Sequence, residues 1–245
     1  MNSIIKSKKT YYTLGILFVF VCWGILSVSI KNDFVVPSIN LTLKALGNLF
    51  IDPYTYKVLG HTLLRLLTSI SISFILGVMM AILSNLSVRF KAFIKPMIVL
   101  FKTLPIVVVI IMLLIMFTKE YASIFIVTIV VFPIIYEATL AGLENVDSNI
   151  KDEIKMLSNN NLTIVRKIYL PLTIPYIITS LIQSIGLGLK VLVMAEYISQ
   201  PLYSIGKELV YYKNDISSEY VYAWSIILII FVLIIEILIV KSEKD

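Results

Sequence analysis

The chain is poor in most of what an enzyme or a water-soluble domain relies on. Of its 245 residues, one is cysteine, one is histidine, and only 15% are charged. The lone Cys22 excludes an intramolecular disulfide. With His61 as the lone histidine, there is no His/Cys cluster for a structural or catalytic metal. One histidine and scattered carboxylates do not assemble into acid–base chemistry, which leaves a membrane-embedded enzyme the least supported class and names no catalytic residue. The phosphate-cradling pattern G-x-x-x-x-G-K-[ST] is absent, so any ATP hydrolysis belongs to another chain. No run alternates polar and apolar residues with period two, as a membrane β-barrel requires.

What is present is apolar surface. The apolar fraction is 59% and the mean hydropathy +0.95, whereas soluble domains carry roughly 45–50% apolar and about 25% charged residues. Too few polar groups remain to cover the outside of a water-soluble globule, and the same numbers exclude disorder. The chain reads as an integral membrane protein. Its net charge of +6 does not point to nucleic acid, because the charges gather in short segments between apolar runs.

A bilayer core about 30 Å thick needs roughly 20 mostly apolar helical residues. Six runs qualify: Thr13–Ile30, His61–Leu86, Met97–Phe117, Ala122–Leu143, Leu172–Tyr197 and Val221–Val240. The expected fold is an all-α polytopic bundle of six transmembrane helices. The first run is longer than a secretory signal core and lacks a small-x-small cleavage site, so it is expected to be a retained helix. Basic residues orient the spans. Lys6, Lys8, Lys9, Arg89, Lys91, Lys95, Lys151, Lys155, Arg166, Lys167, Lys241 and Lys244 fall on one side, and only Lys31, Lys44, Lys57, Lys119, Lys207 and Lys213 on the other. Both termini are therefore expected in the cytoplasm. The external segment Lys31–Gly60, with Pro37 and Pro53, reads as a loop holding at most a short helix.

The longest internal segment, residues 144–170, has a helical pattern of its own. Asp147 and Ser148 are suited to cap a helix start. Ile150, Ile154 and Leu157 repeat at i, i+4, i+7, while Lys151, Asp152, Glu153 and Lys155 lie mostly off that stripe. Ser158-Asn159-Asn160-Asn161 interrupts the helix, because short polar side chains compete for backbone hydrogen bonds. A second short helix, Thr163–Tyr169, stops before Pro171. Two readings fit the pattern: a helix pair lying at the lipid headgroups, or a ledge inserted into a soluble partner.

At this segment a family resemblance is legible. NVDSNIKDEIKMLSNNNLTIVRKIYLP resembles the cytoplasmic loop of binding-protein-dependent ABC importer permeases, known by an EAA, three residues, Gly, spacer and x-Leu-Pro pattern. With Leu170-Pro171 as the fixed end, Asp152 takes the Glu position, Glu153 and Ile154 the Ala positions, and Ser158 the Gly position. HTLLRLLTSISISFILGVMMAIL, KTLPIVVVIIMLLIMF, FPIIYEATLAGLENVD and IPYIITSLIQSIGLGLKVLVMAEYI resemble the family's flanking spans, so the likeness covers about residues 58–240. It is nearest to the branch of nitrate, sulfonate, taurine and pyrimidine-precursor permeases. It divides the chain into an N-terminal helix and external loop (1–57) and a permease core (58–245). After Ala195-Glu196 the family often has Gly-Leu-Gly, of which only Gly206 remains.

The resemblance implies a permease subunit of an ATP-driven importer in the bacterial plasma membrane, passing a small polar or anionic solute. Its implied partners are a second permease copy, an external solute-binding protein, the lipid bilayer and two cytoplasmic ATPases that hold ATP and Mg. It gives this chain itself no cofactor, and no nucleic acid is involved. Asp147, Ile150, Lys151, Asp152, Glu153, Ile154, Leu157, Ser158, Asn159, Leu170 and Pro171 would then form the coupling loop that docks on the ATPase. A secondary transporter or channel working without ATP is the rival reading.

Ionisable residues inside spans are costly and mark candidate function. Arg65 and His61 lie one turn apart at the start of the second span, either snorkelling to headgroups or lining the mouth of a pathway. Lys102 is expected to snorkel. Glu137, midway along the fourth span, is matched by depth with Lys190 of the fifth, as a structural pair or as pathway lining. Glu196 lies near the outer end of the fifth span. The small residues of Ser184–Gly188 would admit a close helix neighbour, and a dimer seam is favoured over packing within the chain.

Overall fold

A computed structural model describes residues 2–146 and 165–242. All regular elements among them are helical: α1 (Asn2–Ile30), α2 (Ile39–Ile51), α3 (Pro53–Leu86), α4 (Val88–Thr103), α5 (Ile106–Met116), α6 (Lys119–Glu144), a π turn (Val165–Tyr169), α7 (Leu170–Ser199), α8 (Ile205–Asn214) and α9 (Ser218–Ser242). Five of these are long and apolar enough to cross a membrane, and counting α4 with α5 as one bent span makes six. The polytopic all-α expectation holds.

The third apolar run differs from a straight helix. Its α4 and α5 portions meet at 101°. The cause is local: a residue before proline avoids the α region, and proline has no N–H to offer the ladder. Leu104 and Pro105 both adopt extended backbone, with ψ 130° and 119°. Pro133 and Pro175, in contrast, sit inside α6 and α7 without ending them. The segment between α1 and α3 also carries more helix than expected. Ser38 caps α2 by accepting from the Leu41 amide, and α3 begins at Pro53, a residue suited to a first helical turn.

The chain divides into two compact units. The first comprises Met1–Tyr56 and Glu208–Ile230. Within it the Tyr54 hydroxyl donates to Glu208 Oε1 at 3.0 Å, and Asn48 Nδ2 donates to the Tyr220 hydroxyl at 3.0 Å. Tyr212 stacks on Tyr220 with ring centroids 4.5 Å apart. Burial pushes the Tyr212 phenol up to about 12, with the Glu208 carboxylate adding to it.

The second unit comprises Lys57–Lys207 and Phe231–Asp245. Here α6 is the central helix, with α7 its most extensive neighbour. Ala81, Ile94, Ile98, Phe132, Tyr136 and Leu140 form one buried apolar cluster. Some helical hydroxyls are satisfied within their own helix, as where Ser73 Oγ donates to the Ser69 carbonyl, and some across helices, as where the Ser84 and Tyr136 hydroxyls bond each other, while Thr139 Oγ1 and Ser184 Oγ are buried without a partner. Ser184 and Gly188 of the small-residue run of α7 pack within the chain, whereas beyond its own helix nothing lies within 4 Å of where a Cβ on Gly186 would stand. A Cβ on Gly188 would stand 3.3 Å from Leu66 and 3.4 Å from Val131, and Ser184 is buried.

Candidate functional site

The second unit holds two clusters of intramembrane charge. The first is built where α3, the end of α7 and the following turn converge. Thr62 and Arg65, three residues apart, present one face of α3. Arg65 Nη1 donates to Glu196 Oε1 at 3.0 Å and to the Tyr203 carbonyl at 3.2 Å, while Nη2 donates to the Leu202 carbonyl at 2.8 Å. Thr62 Oγ1 lies 3.0 Å from both Glu196 oxygens and accepts from the Ile205 amide at 3.2 Å. The Gly206 amide donates to Glu196 Oε2 at 3.3 Å. The side chains of Arg65 and Glu196 are 8% and 0% exposed. A buried ion pair is tolerated only when its remaining donors and acceptors are also matched, and here the turn's carbonyls and amides match them.

The turn is shaped to fit. Gln200 ends α7 in the left-handed conformation (φ 48°, ψ 58°), with its amide bonded to the Glu196 carbonyl at 2.7 Å. Gly206 then packs directly on that last turn. A Cβ there would lie 2.2 Å from the Tyr197 nitrogen and 2.3 Å from the Glu196 carbonyl carbon. Only glycine fits such backbone contact. At the rim, Lys57 Nζ stands 3.8 Å above the Tyr203 ring and His61 packs against the same ring at 5.3 Å. Hydrogen bonding and charge from Lys57 hold the Tyr203 phenol below the usual tyrosine range. Arg65 therefore neither snorkels nor stands alone, whereas His61 is exposed.

The second cluster corrects the expected Glu137–Lys190 pair. Glu137 is bound by Lys102, whose Nζ lies 2.9 Å and 2.8 Å from its two oxygens. The α4–α5 break ends α4 one residue beyond Lys102 and makes that lysine available to α6. Both side chains remain about half exposed, at 52% and 48%. Lys91 and Glu144 form a third pair at the end of α6. Lys190 is exposed on α7 and has no partner among the described side chains. Gln183, two turns earlier on the same face, is likewise exposed.

Of the expected docking residues, Leu170 and Pro171 open α7, half-buried and exposed respectively. Asp147, Ile150, Lys151, Asp152, Glu153, Ile154, Leu157, Ser158 and Asn159 lie outside the described residues. Sequence reasoning passed over Thr62 and Gln183. The spacing Thr62-x-x-Arg65 and the recurrence of polar residues along α7 were the available signals. Among the described residues, no three His, Cys, Asp or Glu side chains are placed to hold a metal.

The same helical arrangement occurs in a crystal structure of an amino acid ABC transporter with histidines. The TM-score is 0.67 at 17% identity, covering 78% of this chain and 94% of that one. This likeness speaks for the fold. No curated protein matches the sequence. Residues 73–244 match the model of the binding-protein-dependent transport system inner membrane component, so the chain belongs to that family of membrane permease subunits.

Proposed function

We propose that this protein is one of two permease copies in an ATP-driven importer, forming the route for a small polar or anionic solute handed over by an external binding protein. Two cytoplasmic ATPases carry the ATP and Mg, and residues 144–170 transmit their closure to the spans. The protein resides in a bacterial inner membrane with both termini cytoplasmic, and its loop and flanking spans resemble those of the nitrate, sulfonate, taurine and pyrimidine-precursor permeases. The observation that carries this reading is the family match over residues 73–244, which encloses the whole loop and the helices on either side of it. Half-exposed charges on membrane-length helices support it, because such groups avoid lipid and favour a wet route.

Co-purification from the native membrane, together with uptake measurements, provides the test. An ATPase subunit is expected to accompany the permease, and deletion of residues 147–161 is expected to abolish uptake. If no ATPase associates and the deletion leaves uptake intact, the reading fails. Solute movement by the pure protein in liposomes under an ion gradient alone would replace it with a secondary transporter.

A further inference from the structure

The face of α7 opposite its packing side is not uniformly apolar. Tyr176, Thr179, Gln183 and Lys190 are exposed at three-, four- and seven-residue spacing, while Thr173, Ile177, Ser180, Ser184, Gly188 and Ala195 on the other side are buried. Thr179 turns its hydroxyl back to the Pro175 carbonyl at 2.9 Å, which leaves the Tyr176 hydroxyl, Gln183 and Lys190 as the polar groups of this face. Gln183 and Lys190 border a cavity of about 350 Å³ that also includes Gly186, Leu187, Val232 and Ile235. Beyond its own stretch of helix, nothing lies within 4 Å of where a Cβ on Gly186 would be, so the cavity stays open at that point.

Lipid does not suit this face. Lys190 precedes the end of α7 at Ser199 by nine residues, about 14 Å at helical rise, further than a lysine side chain reaches by snorkelling. Nor is its charge answered nearby by the carboxylate first expected, since Glu137 is engaged by Lys102. On its own face of α7, beside Val232 and Ile235, Lys190 therefore stands as a positive charge without a carboxylate partner among the described side chains. An exposed ammonium on the same helix face as an amide donor is suited to an oxyanion, because the two supply charge and directed N–H groups together.

We infer that the Gln183–Lys190 face of α7 lines the solute route and that Lys190 makes the route select small oxyanions bearing a carboxylate, sulfonate or phosphate group. This inference rests on the permease reading above and assigns the charge preference of its pathway to one side chain. Gln183 is the positioning partner, two helical turns away on the same face.

The single native cysteine allows a direct test in membranes holding the full assembly. In a chain with Cys22→Ser, a Gln183→Cys thiol is exposed to two membrane-impermeant methanethiosulfonates, one anionic (sulfonate) and one cationic (trimethylammonium). Each rate is divided by that reagent's rate with a free thiol. One lysine charge two helical turns away, about 10 Å, predicts an anion-over-cation preference of about tenfold. Lys190→Gln is expected to bring the ratio close to one, and Lys190→Arg to preserve it. An Ile75→Cys thiol on the exposed apolar face of α3 gives the unreactive baseline. If Gln183→Cys reacts with neither reagent while uptake continues, the face is not the route, and the inference falls although the permease reading stands. If it reacts with both and Lys190→Gln leaves the ratio unchanged, the route remains but anion selection by Lys190 is refuted.

Discussion

Among the described residues, two ion pairs lie within the spans, and their surroundings are opposite. Arg65–Glu196 is closed off, at 8% and 0% exposure, and both Glu196 oxygens and both terminal Arg65 nitrogens are engaged, with Thr62, the Leu202 and Tyr203 carbonyls and the Gly206 amide as the further partners. Lys102–Glu137 has similar distances but remains half open, at 52% and 48%. The first pair behaves as a clasp joining α3, α7 and the turn after it, and its strength depends on being complete. The second holds two charges near one another at a surface, where attraction is screened. Similar geometry therefore implies different energetics and a different role: the closed pair builds the fold, and the open one sets the electrostatics of a polar surface.

Substitutions can break this contrast in graded fashion. The largest effect is expected for Arg65→Leu, which strands the Glu196 carboxylate. Removing one partner of a buried pair costs about 3–5 kcal/mol, readable as a lowered midpoint of unfolding in mixed micelles. Replacing both partners with apolar residues is expected to cost less than either single change. If the single and double variants match wild type, the clasp is ornamental. Next is Gly206→Ala, whose new Cβ would meet backbone atoms at 2.2 and 2.3 Å. Overpacking of this kind typically costs about 1–3 kcal/mol, and the same unfolding measurement checks it. Lys102→Met is expected to change stability by about 1 kcal/mol or less, as for exposed pairs, while reducing uptake. A large loss of stability there would erase the distinction between the two pairs.

The smallest effect concerns titration at the edge of the clasp. Tyr203 is held below its ordinary value by Lys57. Absorbance of ionised tyrosine is expected to show one phenol titrating early, and Lys57→Met is expected to move it back upward. Tyr212, pushed up to about 12, works in the opposite sense. Between the ordinary tyrosine value of 10 and about 12, the unfolded chain has released this proton and the folded one retains it, so unfolding becomes easier as pH rises through that window. Tyr212→Phe is expected to flatten that part of the melting curve.

The spans were readable because a run of roughly twenty apolar residues matches the depth of a bilayer core and has no stable place in water. Pro105 was visible too, but an apolar run on both sides of a proline does not show whether the helix kinks or breaks. The answer came from Leu104 and Pro105 adopting extended backbone together. Depth matching paired Glu137 with Lys190, as composition along two straight helices suggests. The break instead brought Lys102 into reach. Arg65 and Glu196 are separated by 131 positions, and no local period links residues so far apart. The clasp also depends on main-chain groups of a turn, which carry no sequence signature beyond Gly206. Helix α2 was foreseen only as a short helix inside a loop, because prolines on either side, Pro37 and Pro53, resemble loop punctuation, whereas Pro53 begins the next helix.

The bend at Leu104–Pro105 has a consequence for hydration. Every new helix start leaves its first amides without a carbonyl one turn back, and hydrocarbon supplies no substitute. In an otherwise oily stretch, α5 therefore begins with main-chain hydrogens at Ile106 and Val107 that call for water or polar neighbours. Deuterium uptake at those two amides should outpace that of Ile110 and Ile111, marking the spot where the bilayer's dry interior is interrupted from within the protein.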